Sequence, residues 1–140
     1  MSSALIKAIH GALEGDPAIA ALMTGGIHMG LALSGTPLPY LVWNDAGNLT
    51  NDFYTGQEQV ELHALRFRAY ALRSVTAVDT VLEIERLLVG APPPLDEGTI
   101  LQIKRETSVA ELDPDLTNEG EEVWVATLQL AVMIQRNPLV

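Results

Sequence analysis

The chain has 140 residues, 48% of them hydrophobic, which is enough apolar material for the core of one ordinary domain and argues against disorder. Its formal net charge of −10 and its 8 lysines and arginines argue against tight binding to nucleic acid, which needs basic side chains to neutralise phosphates. The lack of cysteine excludes disulfides, thiol catalysis and cysteine-based zinc sites.

Two short helices are predicted at the start of the chain. Apolar residues recur at helical spacing over residues 4–13, and Gly15 ends this first helix. Asp16-Pro17 then indicates a new N-cap followed by proline at the first helical position. Gly25-Gly26 is expected to end the second helix.

Strands are predicted to follow at residues 27–31 and 40–43, where short apolar or β-preferring runs occur. Residues 44–56 are polar and rich in turn formers, which predicts a loop, and we expect it to become ordered on docking to a partner. A long strand is predicted over residues 57–70. Its apolar alternation changes phase near Ala64-Leu65, which predicts either a β-bulge or burial of both faces.

A third helix is predicted over residues 74–89. Ser74 is the expected N-cap, and Gly90 and the prolines at 92–94 prevent the helix from continuing. An apolar stripe at helical spacing is expected to face the core. It consists of Val75, Val78, Val81, Leu82 and Leu88.

Two further strands are predicted to complete the sheet, joined by an acidic turn. Residues 99–109 place Leu101 and Ile103 on one face, and residues 123–135 carry apolar side chains on both faces. The order of elements predicts one α+β domain over residues 1–140. We expect a four- to five-stranded, mainly antiparallel sheet with helices packed on one face.

Several short motifs follow one another in an order that is familiar from one family. They are Ala4-Leu5, Asp16-Pro17-Ala18, Ala21-Leu22, Gly26-Ile27 and Pro37-Leu38-Pro39-Tyr40-Leu41-Val42. With the charged strand that ends near Tyr70, the helix from Ser74 and the acidic turn, they resemble the tail completion, or tail terminator, proteins of long-tailed phages and prophages. The resemblance covers essentially the whole chain.

The resemblance implies a structural subunit of the virion tail, not an enzyme, and no cofactor. It implies a ring, expected to be a hexamer, formed in solution or only on assembly, that caps the major tail tube protein and offers a joining surface to the head–tail connector or stopper protein. DNA would pass through this acidic ring without specific binding. Two alternatives stay open: a stopper on the head side, and a small α+β ligand-binding domain with converging polar groups and a shifted pKa.

The residues themselves indicate no catalytic, cofactor-binding or metal-binding site. His10, His28 and His63 lack the spacing of a helical metal site, and each is expected at the surface or partly buried, unless distant carboxylates converge on one of them. No nucleophile elbow, P-loop or dinucleotide-binding glycine motif is present. Because no signal peptide or apolar run of about 20 residues is evident, we expect a protein that stays where it is translated, with no membrane partner. The resemblance to phage proteins implies that this place is the cytoplasm of a bacterial host.

Arg66 and Arg68 project from the same face of their strand. They are predicted either to pair with acidic neighbours across the sheet or to contact an acidic residue of an adjacent copy.

The acidic turn and the start of the last strand supply the other candidate interface residues. Glu111, Asp113 and Asp115 are predicted to form a solvated turn or, in a ring, a negative zone that faces the DNA channel or a basic partner. Val123 and Val125 lie on the face opposite Trp124. Since a strand buried on one face does not need apolar residues on both, they indicate that helices or another subunit cover the second face.

Overall fold

The computed structural model describes residues 3–48, 53–55, 58–117 and 121–135. Its helices are α1 (Ser3–Gly15), α2 (Pro17–Leu22) and α3 (Ser74–Gly90). Its strands are β1 (Ile27–Met29), β2 (Tyr40–Asn48), β3 (Phe53–Thr55), β4 (Glu58–Ala71), β5 (Thr99–Leu112) and β6 (Trp124–Gln135).

The first two helices are separate because Asp16 and Pro17 interrupt the helical run. The buried face of α1 consists of Leu5, Ile9 and Leu13, which are four residues apart and therefore lie on one side. The Asp16 side chain caps α2 by accepting a hydrogen bond from the backbone N–H of Ala18 at 3.2 Å. Both predicted N-terminal helices are confirmed.

The sheet is mixed but mainly antiparallel. Its strands lie in the order β1-β2-β4-β6-β5, and β3 pairs with β4 beyond the end of β2. Within the described residues, β1 and β2 form the one parallel pair, over Ile27 to Met29. The predicted α+β fold with a mainly antiparallel sheet is confirmed.

The core lies between one face of the sheet and the three helices. Odd-numbered residues of β4 and even-numbered residues of β6 point into it, so that Phe67 and Leu128 are paired neighbours and both are buried. Trp43 of β2 stacks on Phe67 with 6.0 Å between ring centroids. The alternation predicted for the last strand is confirmed, with Ala126 to Ile134 on the core side.

The predicted loop over residues 44–56 is wrong in its described part. Strand β2 continues to Asn48, and Phe53–Thr55 forms β3, whereas residues 49–52 and 56 lie outside the described residues. A polar composition does not exclude a strand here, because β2 and β3 are held by backbone pairing with β4 and not by an apolar side-chain pattern. Whether residues 44–56 become more ordered when the protein docks on a partner stays a prediction.

The change of phase near Ala64-Leu65 comes from burial of both faces. His63, Ala64 and Leu65 are all buried, and β4 pairs with β6 there without a shift in register. The irregularity lies in the neighbouring strand, between Asp45 and Gly47 of β2. A bulge in β4 itself is therefore excluded.

The buried stripe of helix α3 shares only Val81 and Leu88 with the predicted one. Arg73 is the N-cap and makes no side-chain cap hydrogen bond, so the assignment of that role to Ser74 is wrong. Val75 and Leu82 are 58% and 50% exposed. The buried face consists of Ala77, Thr80, Val81, Ile84 and Leu88. Two of these residues are small or polar, and the hydroxyl of Thr80 can be buried because it donates to the Thr76 carbonyl at 2.8 Å.

Leu101 does not share the buried face of Ile103. The register with β6 shifts between Ile100 and Gln102, and this bulge turns Leu101 outward, where it is 48% exposed against 5% for Ile103. The strand also extends to Leu112, further than predicted.

Asp16 is a cap that carries an electrostatic cost. Burial raises the pKa of its carboxyl, as does the neighbouring Glu83, which itself pairs with Arg86. Because folding raises this pKa, the folded protein binds the proton more readily than the unfolded chain does. The charged carboxylate therefore lowers the free energy of unfolding, and it does so only above the ordinary pKa of 3.8.

We therefore expect Asp16→Asn, which keeps the cap but not the charge, to raise the free energy of unfolding at pH 7, with the gain disappearing near pH 3. Asp16→Ala should lower it by about 1 kcal/mol because the cap is lost. Urea unfolding of both variants at the two pH values checks this, and a gain for Asp16→Asn that does not change with pH would contradict it.

Candidate subunit interface

The face of the sheet opposite the helices carries the charged residues singled out above. Cross-strand register places Tyr40, Tyr70, Val125 and Glu111 in one row, from β2 through β4 and β6 to β5. The next row along this face contains Arg68 and Thr127, and the one after it Arg66 and Gln129. We call this side of the sheet the open face.

A basin of about 360 Å³ lies on the open face. It is lined by Arg66, Arg68, Tyr70, Glu111, Asp113, Val125 and Thr127. The arginines belong to β4, whereas the acidic residues lie at the end of β5 and just beyond it, so that opposite charges occupy the two sides of one depression.

The two arginines do not form the predicted cross-strand ion pairs within the described part of the chain. The Arg66 guanidinium donates from Nη2 to the Gln129 side-chain oxygen at 3.2 Å, across the β4–β6 ladder. Neither Arg66 nor Arg68 makes an ion pair with a described acidic residue. Arg68 is exposed to solvent.

Two tyrosines form the end of the open face next to the acidic turn. The rings of Tyr40 and Tyr70 stack with 5.0 Å between centroids. Burial raises the pKa of the Tyr40 phenol, and Tyr70 and the carboxylate of Asp113 raise it further. The phenol therefore stays protonated to a higher pH than an ordinary tyrosine and can donate a hydrogen bond.

Asp113 fixes the acidic turn. Its Oδ1 accepts hydrogen bonds from the backbone N–H groups of Asp115 at 2.9 Å and Leu116 at 3.2 Å, while its own N–H donates to the Val123 carbonyl at 2.8 Å. Val123 in turn donates its N–H to the Thr117 hydroxyl at 3.1 Å. Hydrogen bonds within the chain thus hold the described part of the turn, residues 113–117, against the start of the last strand.

The structure brings most of the predicted interface residues together. Arg66, Arg68, Glu111, Asp113 and Val125 all line the basin. Val123 is buried at the base of the acidic turn and Asp115 is exposed on it, so neither lines the basin.

Sequence reasoning missed Tyr40, Tyr70 and Thr127. Their signal was available in part, because Tyr70 is two residues from Arg68 and Thr127 is two residues from Val125, so each shares a face with a chosen residue. The position of Tyr40 depends on the register between β2 and β4, which no local sequence pattern specifies.

His63 is an unexpected buried group. It is 0% exposed, and its ring contacts Asp45 Oδ2 through Nδ1 at 3.1 Å and Glu61 Oε2 through Nε2 at 3.0 Å. The expectation of a surface or partly buried histidine is wrong here because carboxylates from β2 and β4 converge on it. It holds for His10 and His28, which are partly buried.

The His63 cluster does not have the geometry of a metal site. Its two carboxylates contact opposite edges of the ring and do not share a common point. Across the described ranges, no three His, Asp or Glu side chains are arranged to hold a metal ion. No helix in these ranges is long and apolar enough to cross a membrane.

Comparison with solved structures places the fold. A chain in the virion of a native gene transfer agent particle aligns with a TM-score of 0.71 and 17% identity, over 96% of this chain and 99% of that chain. The gp17 protein of bacteriophage SPP1 aligns with a TM-score of 0.52 and 17% identity, over 96% of this chain and 89% of that one. At this identity the likeness shows the fold. No curated protein sequence matches the chain.

The sheet, backed by helices on one side, defines a small α+β protein. Its candidate site is the open, charged face of the sheet and not an enclosed cleft. The family model of tail completion protein gp17 matches residues 7–135. The chain therefore belongs to the tail completion protein gp17 family. It is a structural protein of a phage or phage-like virion, and its place is in the tail.

Proposed function

We propose that the chain is the ring subunit that caps the tail tube and joins it to the head. The ring, which we take to be a hexamer, ends the stack of major tail tube protein on one side and receives the head–tail connector or stopper protein on the other. This goes further than family membership, which gives the tail location and the structural role.

The observation that carries the proposal is the open face. The core and its helices lie on the opposite face, and the open face presents the exposed charges of Arg68 and Glu111 beside the stacked, partly buried pair Tyr40 and Tyr70. Val125 between them is already buried within the chain. Tyrosine and arginine are enriched in contacts between proteins. A face with Arg68 on one side and Glu111 on the other can meet a second copy with charges matched in both directions.

The acidic composition fits a passage for DNA. A chain with net charge −10 repels phosphates, and in a ring its acidic turns would add to a negative zone that lets DNA move without adhering. We propose that Glu111, Asp113 and Asp115 belong to this zone or face a basic partner ring.

Electron microscopy of particles whose gene for this chain is deleted tests the proposal. Overlong or ragged tails detached from filled heads are the expected result, because nothing would stop the tube or join it. Tails of normal length with heads that leak DNA would instead place the chain on the head side. Normal infectious particles would refute both readings.

Reversal of the charge at Arg68 tests the open face as an interface. Arg68→Glu should abolish or strongly reduce joined particles, because like charges would then meet across the contact. The side chain is exposed and has no ion pair with a described residue, so the free energy of unfolding should change by less than about 0.5 kcal/mol.

Arg73→Glu is the matched control, because Arg73 is also exposed and carries the same charge but does not line the basin. It should assemble normally. If Arg68→Glu also assembled normally, the role of Arg68 in a contact between copies would be refuted.

A further inference from the structure

Two strands at opposite ends of the sheet have a neighbour on one side only, among the described strands. They are β1 and β5, the first and the last in the order β1-β2-β4-β6-β5. The pairings fix their relative direction, because β1 runs parallel to β2 and three antiparallel pairs lead from β2 to β5. The two edge strands therefore run in opposite directions.

The second half of β5 is open to pairing with a further strand. Natural sheets protect their edge strands with bulges and charged side chains. Both bulges of β5 and its three consecutive charges, Lys104 to Glu106, lie before residue 107. From residue 107 to residue 112 every residue is exposed, and Glu111 is the one that carries a charge. This half of the strand lacks the usual protection.

A printed hydrogen bond at the end of β5 shows which of its residues direct their backbone groups outward. Asp113 donates its N–H to the Val123 carbonyl at 2.8 Å, on the side of β6. Because successive residues of an antiparallel strand alternate in this respect, Glu111 also faces β6, whereas Ala110 and Leu112 face away from it. The outer edge thus presents the N–H and C=O groups of Ala110 and Leu112.

The outer edge of β1 presents backbone groups in the same way. Gly30, just after the strand, donates its N–H to the Trp43 carbonyl at 2.8 Å, on the side of β2. By the same alternation His28 also faces β2, whereas Ile27 and Met29 direct their N–H and C=O groups away from it. Each edge therefore offers two donors and two acceptors to an added strand.

We infer that β5 of one copy pairs antiparallel with β1 of the adjacent copy, so that the sheet continues from copy to copy. A contact between the two opposite ends of one sheet is head-to-tail, and it closes into a ring when the rotation allows. Pairing of β5 with β5 of a second copy would instead leave β1 without a neighbour. The inference rests on the proposed ring, for which it supplies the contact between adjacent copies.

The charged side chains favour the register in which Glu111 of one copy lies opposite His28 of the next. Both residues belong to the open face, since Glu111 pairs with Val125, and His28 lies in the row that continues through Val42 to Arg68. The exposed carboxylate of one copy then joins a row of the next copy that carries a positive charge. Opposite charges on the two edges favour this register over its neighbours.

The apolar side chains on the helix side of the sheet fit the same register. It places Leu112 opposite Ile27 and Ala110 opposite Met29. In the free chain Leu112 is 41% exposed and Met29 is 38% exposed. The small side chain of Ala110 leaves room for that of Met29, so both exposed apolar groups would lose contact with water between the copies.

Disulfide cross-linking in assembled particles tests this contact, since the chain has no cysteine of its own. His28 and Glu111 would form a pair without mutual hydrogen bonds, whose Cα atoms lie about 4.5 Å apart, within the range of a disulfide. Particles carrying His28→Cys with Glu111→Cys are oxidised and run on a non-reducing gel. A ladder of covalent oligomers beyond the dimer is the expected result.

His28→Cys with Leu101→Cys is the matched control. Leu101 is exposed on the same strand but lies near its other end, so this variant should stay monomeric. A dimer from Glu111→Cys alone would indicate two-fold pairing of β5 with itself and overturn the inference. No cross-link in particles with normal tails would remove the edge contact and leave the proposed ring, whereas normal particles from the gene deletion would remove the ring itself.

A pair of proline variants tests the same contact without oxidation. Ala110→Pro removes an N–H that faces outward and leaves the ladder with β6, so the isolated chain should keep its circular dichroism spectrum and its unfolding midpoint. Joined particles should be lost. Glu111→Pro is the matched control, because its N–H faces β6, and it should lower the unfolding midpoint. Normal assembly of Ala110→Pro would refute the pairing of β5 with β1.

Discussion

Replacing His63 with leucine is expected to lower the free energy of unfolding by about 3 kcal/mol. The imidazole is fully buried and contacts a carboxylate at each ring nitrogen, Asp45 at 3.1 Å and Glu61 at 3.0 Å. Leucine fills the volume but removes the donor that two nearly buried acids share.

Urea unfolding followed by tryptophan fluorescence measures the effect, because Trp43 is in the core. His28→Leu is the matched control: His28 is partly buried and makes one hydrogen bond, to the Gly25 carbonyl, besides an edge-on ring contact with Tyr40, so its replacement should cost about 1 kcal/mol. Equal losses for the two variants would contradict the importance of the paired carboxylates.

The carboxylates can be tested in the same background. Adding Asp45→Asn and Glu61→Gln to His63→Leu should recover part of the lost stability, because a neutral cluster no longer holds buried charge without the imidazole. A triple variant less stable than His63→Leu alone would show that other contacts of the acids outweigh this effect.

Replacing Gly25 with alanine is expected to lower the free energy of unfolding by about 3 kcal/mol. A Cβ at this position would lie 1.8 Å from the Pro37 carbonyl oxygen and 2.7 Å from that of Pro39. Both obstacles are backbone atoms, which cannot rotate away as a side chain can. The backbone must shift, and the hydrogen bond from the Gly25 N–H to the Pro39 carbonyl, 2.7 Å long, is lost or lengthened.

Gly11→Ala is the matched control for this prediction. Gly11 lies inside α1, and a methyl group there would meet no atom within 4 Å, so alanine should stabilise the helix by about 0.5–1 kcal/mol. The two glycine variants should therefore move the unfolding midpoint in opposite directions. A small effect at Gly25 would show that the Pro37–Pro39 segment moves away at little cost.

Sequence patterns among neighbouring residues correctly predicted the elements that depend only on such neighbours. The cap at Asp16 and the proline after it need no tertiary information, and the alternation from Ala126 to Ile134 identifies a face because its period matches the strand. The same rules failed at Leu101, where a bulge moves one residue out of phase, and on α3, where Ala77 rather than Val75 faces the core.

The candidate interface was predictable along each strand but not between strands. Arg66 and Arg68 share a face by strand geometry alone, and this part of the prediction agrees with the structure. That Glu111 lies on the same depression depends on β6 separating β4 from β5, and the burial of His63 depends on the register that brings Asp45 beside it. Pairing of distant strands is set by the whole sheet, and no short segment of sequence encodes it.

The position of β6 in the sheet has a consequence for synthesis of the chain. It is the latest of the described strands to leave the ribosome, yet it lies between β4 and β5 and pairs with both over most of its length. The antiparallel pairing of β2 and β3 with β4 can form early. Strand β5, in contrast, has no neighbour in the sheet until β6 is translated. Completion of the domain is thus coupled to late translation, and nascent chains that stop before Trp124 expose the unpaired edges of two 14-residue strands.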